Sequence, residues 1–178
     1  MSQFISGQRI YLRAISADDA TGEYLSWLND EETTKGLASG LFPSTLDELK
    51  QFINGVVGNK NAVMFAICDI TNHLHIGNIK LDKFDWVSRT CELGLLIGNK
   101  NYWGKGIGYE VCKLTIEYAF SDLNMRKVLL AVYENNPAAI SLYTKLGFIQ
   151  EGSLRQQIFE GGSYYDKIYM GLFKEELR

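Results

Sequence analysis

The sequence predicts a mixed α/β domain built on a largely antiparallel sheet, and three observations carry that prediction. Strand patterns recur in seven short segments between Arg9 and Phe173, and helical periodicity recurs in four segments among them. A glycine-rich turn, with Gly104, Gly106 and Gly108, runs from a strand into a helix whose Ile107, Val111, Leu114 and Tyr118 share one face. The order strand, helix, strand around that turn demands a right-handed crossover and therefore one parallel pair.

Length and composition bound the rest. The 178 residues, 46% hydrophobic and 22% charged, suit a soluble globular chain forming one domain over residues 1–178, with no linker, repeat or low-complexity segment. A net charge of −3 offers no broad basic face, so nucleic acid is not an expected partner and a polyanion not an expected substrate. Three cysteines, Cys68, Cys91 and Cys112, lack Cys-x-x-Cys spacing and sit in apolar patterns, which predicts buried, reduced thiols in a cytoplasmic protein. The N-terminal MSQFISGQR has no basic-then-apolar leader pattern, and no segment approaches the roughly 18 apolar residues of a membrane span, so no membrane partner is expected.

Taken in order, Arg9 to Ala14 alternates as a strand and Ser16-Ala17-Asp18-Asp19 opens a helix expected to reach Asn29. The acidic run Asp30-Glu31-Glu32 reads as a solvated loop, although such a run would attract a cationic amine. Asn29 to Pro43 is a polar connection. Ser44 and Thr45 ahead of Glu48 give a capping-box pattern for a helix from Leu46 to Val57, with Leu46, Leu49, Phe52, Ile53 and Val56 on one side. Ala62 to Ile70 and His75 to Leu81 predict a hairpin closed at Thr71-Asn72. His73 and His75, the only histidines, share a face by period two but have no third ligand nearby, so no metal is expected. Asp82 to Arg89 is a polar turn around Trp86, and Cys91 to Ile97 is the strand leading into the glycines. Lys127 to Tyr133 is a buried strand. Asn136 as N-cap, Pro137 at the first helical position and Gly147 as terminator define the helix Pro137 to Leu146. Phe148 to Ile158 and Tyr164 to Phe173 close the chain as an antiparallel pair around Gly161-Gly162.

The glycine turn carries the first functional reading. The first N–H groups of a helix have no partner inside it, the macrodipole adds partial positive charge, and glycines let a ligand approach the backbone. Lys105 sits among the three glycines, so the turn suits an anion, whereas a lone Gly-x-Gly would be an ordinary tight turn. It is not a Walker A loop, lacking Gly-Lys-Ser/Thr, nor a Gly-x-Gly-x-x-Gly fingerprint.

This stretch resembles the GCN5-related N-acetyltransferases, whose hallmark is Gln/Arg-x-x-Gly-x-Gly/Ala ahead of a helix. Gly106 and Gly108 match, and Trp103 stands where Gln or Arg is usual, as in the ribosomal-protein alanine, spermidine and nucleotide-amino-sugar branches. A second segment, NPAAISLYTKLGF from Asn136 to Phe148, is similar to the family's Asn-x-x-Ala-x-x-x-Tyr-x-x-x-Gly-Phe. The two motifs and the strand between them cover about a quarter of the chain, and the order of elements follows the family's over nearly all of it. The resemblance implies a mostly antiparallel seven-stranded sheet with four helices, splayed at its parallel pair so that acetyl-coenzyme A can enter. It implies Trp103, Gly104, Lys105, Gly106, Ile107 and Gly108 around the pyrophosphate, Asn136 on the pantetheine arm, and the strand bearing Leu95 and Ile97 pairing with that arm as an added strand would. Lys100, Lys105 and Lys145 are cations available to the 3′-phosphate, each otherwise an ordinary surface lysine.

The implied reaction is aminolysis of a thioester. An alkyl amine with a pKa near ~10.4 must lose a proton before it attacks, and the departing thiolate must gain one. Glu92, on the strand before the turn, is the candidate base, with an exposed strand-edge carboxylate as the equally weighted alternative. Tyr143 matches the family's tyrosine acid. A phenol of pKa ~10 protonating a thiolate of pKa ~8.5 is uphill by roughly 2 kcal/mol, tolerable within an enzymatic barrier. Asp166, in the Gly-x-Tyr-x-Asp pattern near the C-terminus, is an acceptor-side or structural candidate. No metal is implied. The expected partner is a small-molecule or peptide amine, and assembly as a homodimer is left open. Among acceptors a protein N-terminus, a nucleotide-linked amino sugar and a polyamine compete; a polyamine would call for several carboxylates in the cleft. A noncatalytic acyl-coenzyme A-binding module is the rival from another class, needing the glycine turn but neither Glu92 nor Tyr143.

Overall fold

The computed structural model describes residues 2–178. In chain order its elements are β1 (Ile5–Ser6), β2 (Ile10–Ala14), α1 (Tyr24–Leu28), α2 (Glu31–Thr34), α3 (Leu46–Val56), β3 (Val63–Asp69), β4 (His75–Asp85), β5 (Thr90–Ile97), α4 (Ile107–Ser121), β6 (Lys127–Tyr133), α5 (Pro137–Leu146), β7 (Ile149–Glu160) and β8 (Ser163–Phe173). Among the described residues eight strands form one sheet in the order β1-β2-β3-β4-β5-β6-β8-β7, and only β5 and β6 run parallel. The mixed, mostly antiparallel architecture is the one the sequence predicts, with an added strand and an added helix.

Both additions are short. β1 is a two-residue edge strand, too brief to show a period. α2 interrupts the expected polar connection because Asp30 caps it, its carboxylate accepting from Thr33 N at 2.8 Å. The helix expected from Ser16 to Asn29 is instead a 3-10 turn, Ala17–Thr21, followed by α1, the two separated at Gly22, whose backbone is extended. β4 runs four residues past Leu81, to Asp85, across a bulge in its pairing with β5. Elsewhere local signals prevail. Thr45 and Glu48 form the capping box of α3, and Asn136 Oδ1 accepts from Ala139 N at 3.1 Å at the start of α5. α5 ends at Gly147, left-handed at φ 104°.

Period-two alternation divides the core between the two faces of the sheet. On one face Ile10, Leu12, Phe65, Ile67, Leu93 and Val128 pack against Val111 and Ile116 of α4 and Leu146 of α5. On the other, Tyr11, Met64, Ala66 and Cys68 pack against Tyr24 and Trp27 of α1 and Leu49 and Ile53 of α3. α1 is seated over the end of β5, where a Cβ on Gly98 would fall inside the Trp27 indole.

The feature that positions the site is how soon the parallel pair ends. β5 and β6 are in register only at Thr90 with Lys127, Cys91 with Val128 and Glu92 with Leu129. β5 then continues to Ile97 and β6 to Tyr133 with no ladder between them, so the sheet opens as a wedge and the β6-facing edge of β5 is left for another occupant. No helix among the described residues is long and apolar enough to cross a membrane.

Candidate active site

The wedge widens into a groove of about 860 Å³ between β5, β6, α4 and α5. Leu95, Ile97, Trp103, Gly104, Gly106, Ile107, Gly108, Asn136 and Tyr143 line it, drawn together from sequence positions far apart. Two of the sequence-predicted residues do not: Lys105 is exposed outside the lining, and Glu92 lies where the strands are still paired. Of the other lysines, Lys145 lines the groove while Lys100 is held by Asp30 at 2.8 Å and Glu32 at 2.6 Å. Those ion pairs also take two of the three carboxylates of the acidic run.

The glycine turn has the geometry of an anion cradle. Gly104 and Gly106 are left-handed, with φ of 69° and 74°. A Cβ at Gly104 would meet nothing within 4 Å, so protein packing does not require glycine there; the backbone conformation does, and a ligand lying against it would. Gly106 is the N-cap of α4 and brings no side chain to its first amides. The carbonyls are turned the other way, to Arg9: Nη1 donates to Lys105 O at 2.6 Å and Nη2 to Gly106 O at 3.1 Å, while Nε donates to Glu110 Oε2 at 2.7 Å. Gly108 is a packing position, its Cβ site lying 3.3 Å from Leu142 and 3.5 Å from Leu95. Arg9 escapes sequence reading because its partners are about a hundred positions away, and no local period marks it.

Further along the groove, Asn135 donates to Glu160 Oε2 at 2.6 Å, and Glu160 Oε1 accepts from Gly36 N at 2.8 Å. This ties the loop after α2 to the end of β7 and forms the groove's outer wall. Asn135 Oδ1 is buried with no protein partner, and Trp103 Nε1 donates to Ile97 O at 2.7 Å. A pantetheine arm, with its peptide-like amides, fits the free edge of β5 and the orphaned acceptor of Asn135, and its diphosphate fits the turn.

Tyr143 is 8% exposed at the groove wall and packs edge-on against Phe148 at 5.7 Å between ring centroids. Burial, with the nearby Cys112 thiol, pushes its pKa well above the ordinary phenol value. The side chain therefore stays a neutral proton donor at every working pH. A raised phenol is a weaker acid, so proton transfer from it to sulfur is more uphill than ordinary pKa values give. Glu92 points to the face opposite Leu93, the face of Gly94 and Leu96, and Lys83 Nζ holds its Oε2 at 2.7 Å. Asp166 accepts from Ser153 Oγ at 2.9 Å and Gln156 N at 2.9 Å, which secures the irregularity in β7 where Gln156 is left-handed. These contacts fit the structural one of its two readings.

On the Gly94 and Leu96 face a second cavity, of about 590 Å³, opens between α1, α3 and the sheet. The two cavities share Leu37, Gly94, Leu95 and Leu96, so a group lying along β5 is reached from either side. Beneath the second cavity lies a polar network that the sequence does not announce. Arg13 donates to both oxygens of Asp19, at 2.6 and 2.9 Å, and Asp19 also accepts from Ser16 N at 2.9 Å. His75 Nδ1 stands 3.7 Å from Asp19, and its Nε2 is 3.0 Å from both Gly77 O and Asn78 Oδ1. The interior position of Asn78 on a strand is the one signal that could have exposed this network. His73, by contrast, sits in the β3–β4 connection at φ 59°. Among the described residues no group of three or more His, Cys, Asp and Glu side chains is arranged to hold a metal.

Burial lowers the His75 pKa below its ordinary 6.5, against the upward pull of Asn78 and Asp19. Below pH 6.5 the unfolded chain takes up a proton that the folded imidazole resists, so stability is expected to fall as pH drops through that value. Urea midpoints measured from pH 7.5 to 5.5 should decline for the parent and much less for His75→Gln.

Comparison with known proteins gives this geometry its family. The family described as Acetyltransferase (GNAT) domain matches residues 9–149, which contain both cavities' walls up to α5. The chain belongs to the GNAT acetyltransferases. It is 30% identical over 172 residues to the SPbeta prophage-derived uncharacterized N-acetyltransferase YokL of Bacillus subtilis, covering 96% of this chain and 93% of that protein. It is 27% identical over 161 residues to a spermidine N(1)-acetyltransferase of Vibrio cholerae, covering 89% of each. Among solved structures, the Vibrio cholerae spermidine N-acetyltransferase in complex with CoA and spermine superposes with a TM-score of 0.86 at 25% identity, over 96% of this chain and 98% of that one. Like other GNAT enzymes, this chain is an acetyl-coenzyme A-dependent N-acetyltransferase, and the reading as a noncatalytic module gives way.

Proposed function

We propose that this acetyltransferase passes the acetyl group to a primary amine by direct attack while both substrates are bound. The observation that carries the reading is the meeting of the two cavities at Gly94, Leu95 and Leu96, which gives donor and acceptor separate approaches to one stretch of β5. The donor is held by the turn amides, the free edge of β5 and the Asn135–Asn136 corner, with the implied contacts of Trp103, Ile107 and Gly108 along the wall. The amine nitrogen forms its bond to the acetyl carbon as the carbon–sulfur bond breaks. Tyr143 gives its proton to the departing sulfur, and the proton leaving the amine restores the balance through solvent. Glu92 does not line either cavity, so its part as base runs through water.

Initial rates with both substrates varied test the proposal: intersecting double-reciprocal lines are expected, and parallel lines would indicate an acetyl-enzyme instead. Glu92→Gln should lower kcat/KM by about 10²-fold at pH 7 and recover towards the parent as pH nears the amine's own pKa, where solution does the base's work. A pH-independent deficit would remove Glu92 from proton transfer. Acceptors from the sequence reading, a protein N-terminus or a nucleotide-linked amino sugar, both supply such an amine. Similarity to the spermidine enzymes favours a polyamine as the second reading.

A further inference from the structure

The acceptor cavity is far less acidic than a polyamine requires. Apolar residues, among them Tyr24, Leu49, Phe52, Met64, Ile79 and Leu96, form most of its wall, and Glu48 is its sole carboxylate. Glu48 is already engaged, its Oε2 accepting from Thr45 N at 3.0 Å and Thr45 Oγ1 at 2.8 Å in the α3 capping box. The cavity's cation is Lys80, paired with Asp82, and its stem lies within 3.0 Å of where a Gly94 Cβ would stand. Glu48 keeps its charge, but one carboxylate set against one lysine in the same wall is too little to neutralise a polycation.

The same wall offers a specific polar contact. Asn78 lines the cavity at 3% exposure, and its Nδ2 is buried with no protein partner, so a ligand oxygen meets it only once the side chain turns towards the cavity. The orientation of the amide follows from its neighbours: Gly77 O can only accept, so His75 Nε2 carries the proton, and Asn78 must turn Oδ1 to the ring. The orphan is therefore a donor. A buried amide donor is nearly always hydrogen-bonded, so the atom that meets it is an acceptor.

We propose that the acceptor is a primary amine with a single positive charge, an apolar body seated on the Tyr24, Leu49, Phe52 and Met64 wall, and a carbonyl-type oxygen that accepts from Asn78 Nδ2. The inference rests on the transferase reading above. A polyamine would leave its remaining ammonium groups against hydrocarbon and would offer Asn78 no acceptor.

The test compares kcat/KM for phenylalaninamide, 2-phenylethylamine and spermidine with acetyl-coenzyme A, following thiol release. Phenylalaninamide should exceed 2-phenylethylamine by about tenfold, the worth of one buried hydrogen bond, and spermidine should lie at least about 100-fold lower. Asn78→Leu should lower the first ratio about tenfold from its parent value at the same pH, a comparison in which the different basicities of the two amines cancel. Phe52→Glu, at a rim position 45% exposed and so tolerant of change, should raise spermidine relative to both aromatic amines. Spermidine matching or exceeding the aromatic amines would overturn the inference, as would reaction with none of the three by protein that still binds coenzyme A in calorimetry. Either result would leave the transferase assignment intact, whereas protein that binds no coenzyme A would remove the transferase reading on which the inference rests; parallel initial-rate lines would change only the order of the chemical steps.

Discussion

Tyr143→Phe should lower kcat by about 10²-fold or more while coenzyme A binds within about twofold of the parent affinity. General-acid removal typically costs 10² to 10⁴ in rate, and the phenol is the group lost. The ring stays, and the ring does the packing: it meets Phe148 edge-on and fills the wall beneath α5. Binding should therefore survive, because the diphosphate cradle and the β5 edge are untouched. Stopped-flow or steady-state turnover read beside calorimetric titration separates the two quantities. Unchanged kcat would remove Tyr143 from the chemistry, and a parallel loss of affinity would make it a binding residue instead.

Asp19→Ala should destabilise the fold by about 3–4 kcal/mol, since deleting one member of a buried ion pair leaves the other charge desolvated. Arg13 and Asp19 have side chains 12% and 8% exposed and are joined by two hydrogen bonds. Burial alone would raise the Asp19 carboxyl, but the Arg13 guanidinium and the Ser16 amide outweigh it and hold the pKa below its usual value. The contribution is thus present above the ordinary aspartate pKa of 3.8 and is lost as pH falls further. In a chain of this length the melting midpoint should drop by roughly 10 °C. The double variant Arg13→Met, Asp19→Leu should recover most of that, because the apolar replacements leave no unpaired charge. If the double variant is no more stable than Asp19→Ala, the loss comes from broken 3-10 turn geometry at Ser16 to Thr21 instead.

How much of this was legible beforehand depends on how local each signal is. α5 ends where Asn136, Pro137 and Gly147 say it should, because capping is decided within a few residues. The glycine turn is legible for the same reason: left-handed backbone at Gly104 and Gly106 leaves a mark in composition. Arg9 on the turn carbonyls, Glu160 on Gly36 and Asn135, and the Asp19 to Asn78 network join residues remote in sequence, and no period or spacing encodes such contacts. Glu92 shows the limit differently. Strand alternation gives its face, but only the length of the β5–β6 ladder shows that it falls short of the opened wedge. The first helix failed because Gly22 and the engaged Asp19 divide a segment whose apolar content alone suggested continuity.

The three thiols have a practical bearing. Cys68, Cys91 and Cys112 are free and buried, and burial pushes the latter two up to about 12 and raises Cys68 as well. Thiolates are what react with disulfide reagents, so the native protein presents almost none. A chromogenic disulfide can therefore report released coenzyme in real time without poisoning the catalyst. In the absence of substrates, the same colour would count only molecules that have come apart, turning one reagent into a clock for unfolding.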